Sequence, residues 1–125
     1  MIRVLVVDNF APMRKTLIEV LQTYPDFEVV GEGNQGLEAW ELAHTKRPDV
    51  ILMDVHMPVC GGVEATRMVK QAYPEMIVIG LTADEDPLAE PAMRKAGADA
   101  FVLKGAVAEH LELEILKAIA KHRSR

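Results

Sequence analysis

The chain of 125 residues has a single cysteine, Cys60. That excludes an internal disulfide and a cysteine zinc site. It has no excess of basic charge: 14 Lys+Arg stand against 19 Asp+Glu, a net charge of −5. A protein that tracks nucleic-acid phosphates normally carries a basic face, so this domain by itself is not expected to bind nucleic acid. No apolar run approaches the roughly 20 residues that span a bilayer. The start, MIRVLVVDNF, lacks the layout of a secretory signal, because an Asp interrupts it at position 8. There is no internal repeat, no low-complexity tract and no linker. These absences leave a soluble, cytoplasmic, single-domain chain as the expectation. Half of the residues are hydrophobic, which argues against disorder. A domain of this size buries about two-thirds of its unfolded surface, enough for a core.

Five short apolar runs punctuate the chain: Ile2–Val7, Phe27–Val30, Val50–Met53, Ile77–Leu81 and Phe101–Leu103. They are rich in Val, Ile and Leu and do not alternate cleanly with polar residues. Such runs suit strands buried on both faces of a parallel sheet. The segments between them carry helical spacing, as in Met13, Leu17, Val20, Leu21 and Tyr24 on one face. The second helix stops before Pro48 and the third before Pro74. The fourth is expected to be short, beginning near Pro91, since proline is tolerated only in a first turn. Ala108, Leu111, Ile115 and Ile119 mark the fifth. The basic end (KHRSR, 121–125) reads as a frayed tail, with the domain covering 1–121 and residues 122–125 lying beyond it. Strands alternating with helices predict an α/β fold with helices on both faces of a parallel sheet. Five of each fit the flavodoxin-like, doubly wound order 2-1-3-4-5.

Ligands of such sheets bind outside the carboxyl ends of the strands, where the strand order reverses. The first run ends in Asp8-Asn9, the third in Asp54, the fourth in Thr82 and the fifth in Lys104. The topology alone brings these ends to one rim. Each residue has an ordinary alternative use. Asp8 suits a helix cap, Thr82 a cap or turn, and Lys104 a solvated surface position. Together they make two acids, an amide, a hydroxyl and an ammonium. Carboxylate and carbonyl oxygens suit Mg²⁺. An Asp carboxylate can act as a nucleophile towards phosphorus. A lysine supplies a point charge to phosphate oxygens. Asp54, on the central strand, is the candidate nucleophile, and the turn residues that follow, Met57-Pro58 and Gly61-Gly62, shape its loop.

These residues and their order resemble the receiver domain of two-component response regulators. The motifs are VLVVDN at 4–9, ILMDVHMPVCGG at 51–62, GLTAD at 80–84 and AGADAFVLKG at 96–105. The resemblance covers essentially the whole chain. The pattern around GEGNQGLEAW and RPDVILMD is most similar to receivers that usually precede a helix-turn-helix output domain. No such domain follows within the sequence, which therefore reads as a single-domain regulator or an excised receiver. The resemblance implies that Asp54 is the phosphoacceptor, served by a histidine kinase or phosphotransfer protein. It implies Mg²⁺ as cofactor, with Asp8, Asn9, Asp54 and the backbone carbonyl of His56 as its ligands. It makes Thr82 the switch hydroxyl, Lys104 the phosphate-binding lysine and Phe101 the aromatic that changes rotamer. The output surface would be the fourth helix, fifth strand and fifth helix, a face that also supports a homodimer.

One departure stands out. Asn9 occupies the place of the family's second acid, so the site has two carboxylates instead of three, and weak Mg²⁺ binding is expected. Gly105, where many receivers have proline, carries little weight. His56 and Asp84 lie two residues beyond Asp54 and Thr82, at rim positions that by resemblance gate hydrolysis, and a pairing between them is considered. The stretch 31–36, GEGNQG, matches a dinucleotide fingerprint. It falls on the second strand, expected at the sheet edge and not at the switch point, so it reads as a turn. The four histidines have no zinc spacing, and Cys60 reads as a plain thiol. The seven methionines read as core filler. Leu113 falls opposite the core stripe of the last helix and is expected to be exposed, as an interface candidate.

The leading reading is a signalling switch and not an enzyme. The runner-up is a phosphate-independent interaction module of receiver fold, motivated by Asn9. A Mg²⁺-dependent phosphohydrolase is disfavoured, because His56 stands where a second Asp belongs and the chain is too short for a cap.

Overall fold

The computed structural model describes residues 1–57, 60–83 and 86–124. The order of elements is β1 (Ile2–Val7), α1 (Ala11–Gln22), β2 (Phe27–Gly33), α2 (Gly36–Lys46), β3 (Val50–Asp54), α3 (Gly62–Ala72), β4 (Ile77–Thr82), α4 (Ala89–Ala96), β5 (Ala100–Leu103) and α5 (Val107–Arg123). A short 3₁₀ turn, Lys104–Ala106, joins β5 to α5. The strands are parallel in the order β2-β1-β3-β4-β5. The switch point therefore lies between β1 and β3.

The unbroken apolar runs have a simple cause. Strand side chains alternate between faces, and here both faces are covered. Val4, Val6, Leu52 and Ile79 join Leu17, Leu21, Leu111 and Ile115 under α1 and α5. Leu5, Val7, Ile51, Met53 and Val78 join Ala39, Ala43, Val69 and Met93 under α2, α3 and α4. Each fully buried leucine or isoleucine contributes about 1.5–3 kcal/mol of transfer free energy, which makes the sheet a rigid floor for its rim.

The differences from the sequence reading fall at the edges. β2 continues past Val30 to Gly33, because Leu5, Val6 and Val7 go on pairing with Gly31, Glu32 and Gly33 after a register shift between Val4 and Leu5. The edge strand is half-covered, so its last residues need not be apolar. α5 takes in the first residues of the basic end. Lys121, His122 and Arg123 are the last turn of α5, where cations complement the helix dipole. α4 is short, as Pro87 and Pro91 require, and holds Pro91 within its first turn. It ends at Gly97, whose φ of 114° is open to glycine and strained for other residues.

Candidate functional site

Asp8 leaves the carboxyl end of β1 fully buried, and Asp54 ends β3 at 2% exposure. They face each other across the switch point, and Lys104 reaches both from the turn after β5. Its Nζ lies 2.6 Å from Asp8 Oδ2 and 3.4 Å from Asp54 Oδ1. Two buried carboxylates without a cation would repel at close range in a poorly screening interior. The ammonium is the group that makes the pair tenable.

Each acid is also held by backbone. Asp8 Oδ1 accepts the Phe10 N–H at 2.8 Å, so Asp8 serves the start of α1 as well as the cleft. Arg14 Nη1 donates to the Asp8 carbonyl at 2.8 Å, while its Nε pairs with Glu32 at 3.0 Å. Asp54 Oδ1 accepts the His56 N–H at 3.2 Å. Burial first, and the Asp8 carboxylate second, push the Asp54 carboxyl above its ordinary range. The Lys104 charge and the His56 hydrogen bond pull the other way. Asp54 is thus a desolvated carboxyl whose charged form is favoured by a lysine.

Asn9 follows Asp8 at the rim. Its amide end lies 2.9 Å from Asp54 Oδ2 and 3.2 Å from the His56 carbonyl oxygen, two acceptors, so in the absence of a cation the orientation that satisfies all three turns Nδ2 towards them as donor. Thr82 ends β4 with its hydroxyl buried and without a hydrogen-bond partner among the described residues. It does not cap α4. Asp86 serves that turn, its Oδ1 accepting the Leu88 N–H at 2.9 Å and its carbonyl accepting the Ala89 N–H. Thr82 lines an open groove of roughly 790 Å³ together with Asp86, Glu90, Arg94, Phe101 and Leu103.

Phe101 pairs with Gly80 across β5 and β4, and its half-buried ring packs against the face under α4. A Cβ at Gly80 would stand 2.9 Å from Phe101 Cδ1 and 3.0 Å from Met93 Cε. The missing side chain of Gly80 is what admits the ring. Gly62 is more tightly constrained. A Cβ there would come 2.0 Å from the Asp54 carbonyl oxygen, and the Gly62 N–H donates to the Val55 carbonyl at 3.0 Å. The first residue of α3 therefore presses on the backbone that carries Asp54.

Asp84 lies outside the described residues. Among the described residues, Asp86 faces the exposed His56 ring, with Oδ2 3.6 Å from Nε2. Asp86, Arg14 and Gly80 were missed in the sequence. Asp86 had a readable signal, an acid just before Pro87 at a helix entry, whereas Arg14 and Gly80 matter only through tertiary contact. Leu113 is 55% exposed while Leu111 is buried. The backbone at the turn after β2 is held by side chains from the turn and from α2. Glu38 Oε1 accepts the Asn34 N–H, and Gln35 Oε1 accepts the Leu37 N–H. Burial and Glu64 push the Cys60 thiol up, away from a reactive thiolate. Among the described residues no three His, Cys, Asp or Glu come together as a metal cluster.

The family model for the response regulator receiver domain matches residues 4–116. The chain belongs to the response regulator receiver family. It is 38% identical over 120 residues to the transcriptional regulatory protein DegU of Brevibacillus brevis, covering 96% of this chain and 50% of that one. It is 38% identical over 124 residues to the response regulator GacA of Pseudomonas aeruginosa, covering 98% of this chain and 58% of that protein. The chain thus spans about half the length of these curated relatives. Among solved structures, the response regulator domain of Thermotoga maritima CheB superposes with a TM-score of 0.89 at 34% identity, over 96% of this chain and 97% of that one. A LuxR-family response regulator from Aurantimonas superposes with a TM-score of 0.84 at 25% identity, over 98% of each chain. This is the receiver unit of a two-component system, of the kind found in DegU and GacA. No helix among the described residues is long and apolar enough to cross a membrane.

Proposed function

We propose that this receiver is a phosphoacceptor switch in which Asp54 takes a phosphoryl group from a histidine kinase or phosphotransfer protein. The observation that carries the reading is the Asp8–Lys104–Asp54 ion network, which places one ammonium against a buried nucleophile and its acidic neighbour. An ionised Asp54 oxygen attacks the phosphorus of a phosphohistidine. The P–N bond breaks, its electron pair returns to the donor imidazole, which takes up a proton, and an acyl phosphate remains on Asp54. Lys104 meets the phosphoryl oxygens as a point charge. The Thr82 hydroxyl, without a partner among the described residues, is available to donate to one of them, since a buried hydroxyl ordinarily has a partner. Thr82 and Phe101 line the same groove, so a displaced Thr82 frees space for the Phe101 ring. The change is then read on α4, β5 and α5. Turnover chemistry is not part of this role.

The donor set fits Mg²⁺. The Asp8 and Asp54 carboxylates, the His56 carbonyl and an amide oxygen from Asn9 are hard oxygens, and the Asn9 amide end, Asp54 Oδ2 and the His56 carbonyl oxygen lie together. When bound there, Mg²⁺ supplies positive charge to the phosphoryl group in transfer. With Asn9 in place of a third acid, the binding is weak, and a titration saturating in the low micromolar range contradicts that. Leu113, exposed on α5, is the residue to test for a homodimer on the output face. Leu113→Asp should abolish phosphorylation-dependent self-association if that face pairs. The domain is assigned to the cytoplasm, with no nucleic-acid contact of its own and an unnamed downstream protein target.

Intact mass after incubation with acetyl phosphate and MgCl₂ tests the switch. One added phosphoryl group is expected, and none in Asp54→Ala. A hydrogen bond from the Asn9 amide to Asp54 would favour one alternative, a phosphate-independent interaction module. A folded chain that gains no mass from acetyl phosphate or from a phosphorylated histidine donor supports that alternative.

A further inference from the structure

Asp54 and the His56 carbonyl flank one cleft at the carboxyl rim of the sheet. Both groups are acceptors. An ionised carboxylate has no proton to give, and neither has a carbonyl. An acid at position 9 would add a third acceptor and leave the cleft with only mutual repulsion. Asn9 ends in an atom 2.9 Å from Asp54 Oδ2 and 3.2 Å from the His56 carbonyl oxygen, and its NH₂ has a proton for each. Lys104 meanwhile holds the other Asp54 oxygen and Asp8. Every Asp54 oxygen is thus engaged from within the chain.

We propose that the Asn9 amide is an internal occupant of the cation site. It donates one N–H to Asp54 and one to His56, the two protein groups that a metal ion would need. Mg²⁺ therefore competes with Asn9 for these oxygens. The ion binds only when the amide turns by half a rotation to face it with oxygen, or swings away into solvent, which the exposed position of Asn9 permits. The same spacing serves both states. Adjacent ligands at 2.0–2.1 Å around an octahedral Mg²⁺ lie about 3 Å apart, so an oxygen can replace the nitrogen with little backbone movement. The resting pocket is in this way complete without metal, and Asn9 sets the magnesium concentration at which it opens. The amide network is independent of phosphorylation. Only its consequence for metal entry rests on the phosphoacceptor reading.

Two measurements on the full chain test this. The first is the side-chain NH₂ signal of Asn9 in ¹⁵N-labelled, metal-free protein, assigned by its loss in Asn9→Ala. Slow exchange with water, lost in Asp54→Ala, is expected. Exchange at the rate of a free amide, unmoved by Asp54→Ala, overturns the proposal. The second is Mg²⁺ affinity by calorimetry in wild type, Asn9→Ala and Asn9→Asp. If Asn9 obstructs the ion, Asn9→Ala binds at least as tightly as wild type, and Asn9→Asp binds tighter by roughly tenfold or more. If Asn9→Ala binds more weakly than wild type, the side chain is a net ligand and the proposal fails. It also fails if Asn9→Asp binds no better than wild type. A chain that passes these tests yet takes no phosphoryl group retains the amide lock and loses only the switch reading.

Discussion

Lys104 Nζ stands 2.6 Å from Asp8 Oδ2 and holds a fully buried acid that has no other cation within salt-bridge distance among the described residues. The same ammonium reaches Asp54. Removing one partner of a buried ion pair leaves an uncompensated charge, which costs about 3–5 kcal/mol where the remaining charge cannot be relieved. Lys104→Met is expected to lower stability towards that range at neutral pH, and to recover much of it when combined with Asp8→Asn. Urea unfolding of the single and double variants checks this. Equal midpoints for wild type and Lys104→Met would show that the contact carries no weight.

Asp54 gives a prediction with the opposite sign. Burial and Asp8 raise its carboxyl above the ordinary range, so the folded state holds the proton more readily than the unfolded chain. Between the unfolded value of 3.8 and the raised folded value, stability falls as pH rises. Above that window the penalty is fully present, and below it the penalty vanishes. Asp54→Asn removes the charge at every pH. It should melt a few degrees above wild type at neutral pH, with the gap closing as pH falls through the window. A gap that widens towards acid pH would contradict the sign.

Gly62 and Gly105 form a matched pair. A Cβ at Gly62 meets the Asp54 carbonyl oxygen at 2.0 Å, whereas one at Gly105 meets nothing within 4 Å. Gly62→Ala must move backbone, so a loss of more than about 2 kcal/mol is expected. Gly105→Ala should stay within about 0.5 kcal/mol. Urea unfolding separates the two, and an unchanged Gly62→Ala protein would mean that α3 does not press on β3 as described.

Gly80→Ala addresses the Phe101 ring. The new methyl would crowd Phe101 Cδ1 at 2.9 Å and Met93 Cε at 3.0 Å. Met93 Cε is the end of a flexible side chain and the Phe101 ring is half-buried, so the expected result is a displaced ring with a modest loss of stability. Nuclear Overhauser contacts between the Phe101 ring and the Met93 methyl should weaken. Their persistence at full strength would place the ring elsewhere in solution.

Much of this was legible in the sequence, for a physical reason. A parallel sheet covered on both faces needs apolar runs, and the polar residue that ends each run is then forced to the carboxyl rim. That is why Asp8, Asp54, Thr82 and Lys104 could be placed from spacing alone. Boundaries were less legible where burial is partial. β2 runs on through Gly31 and Gly33 at the sheet edge, and α5 runs through His122 and Arg123 because helix continuation needs no apolar residue. Side-chain partnerships were the least legible. Asn9 stands at the rim in the sequence, but its position between two acceptors, Asp54 Oδ2 and the His56 carbonyl, is visible only in the structure. His56 faces Asp86 because the turn into α4 brings Asp86 towards it, a proximity that counting from Thr82 does not reveal.

In the proposed switch, Asp54 carries the phosphoryl group. Borohydride reduction of the chain after acetyl phosphate treatment, followed by peptide mass mapping, tests it directly, because an aspartyl phosphate is reduced to homoserine at the residue that bore it. Homoserine at position 54, absent without acetyl phosphate, is the predicted result. Homoserine at another acidic residue, or none in a folded and phosphorylated chain, would contradict the account.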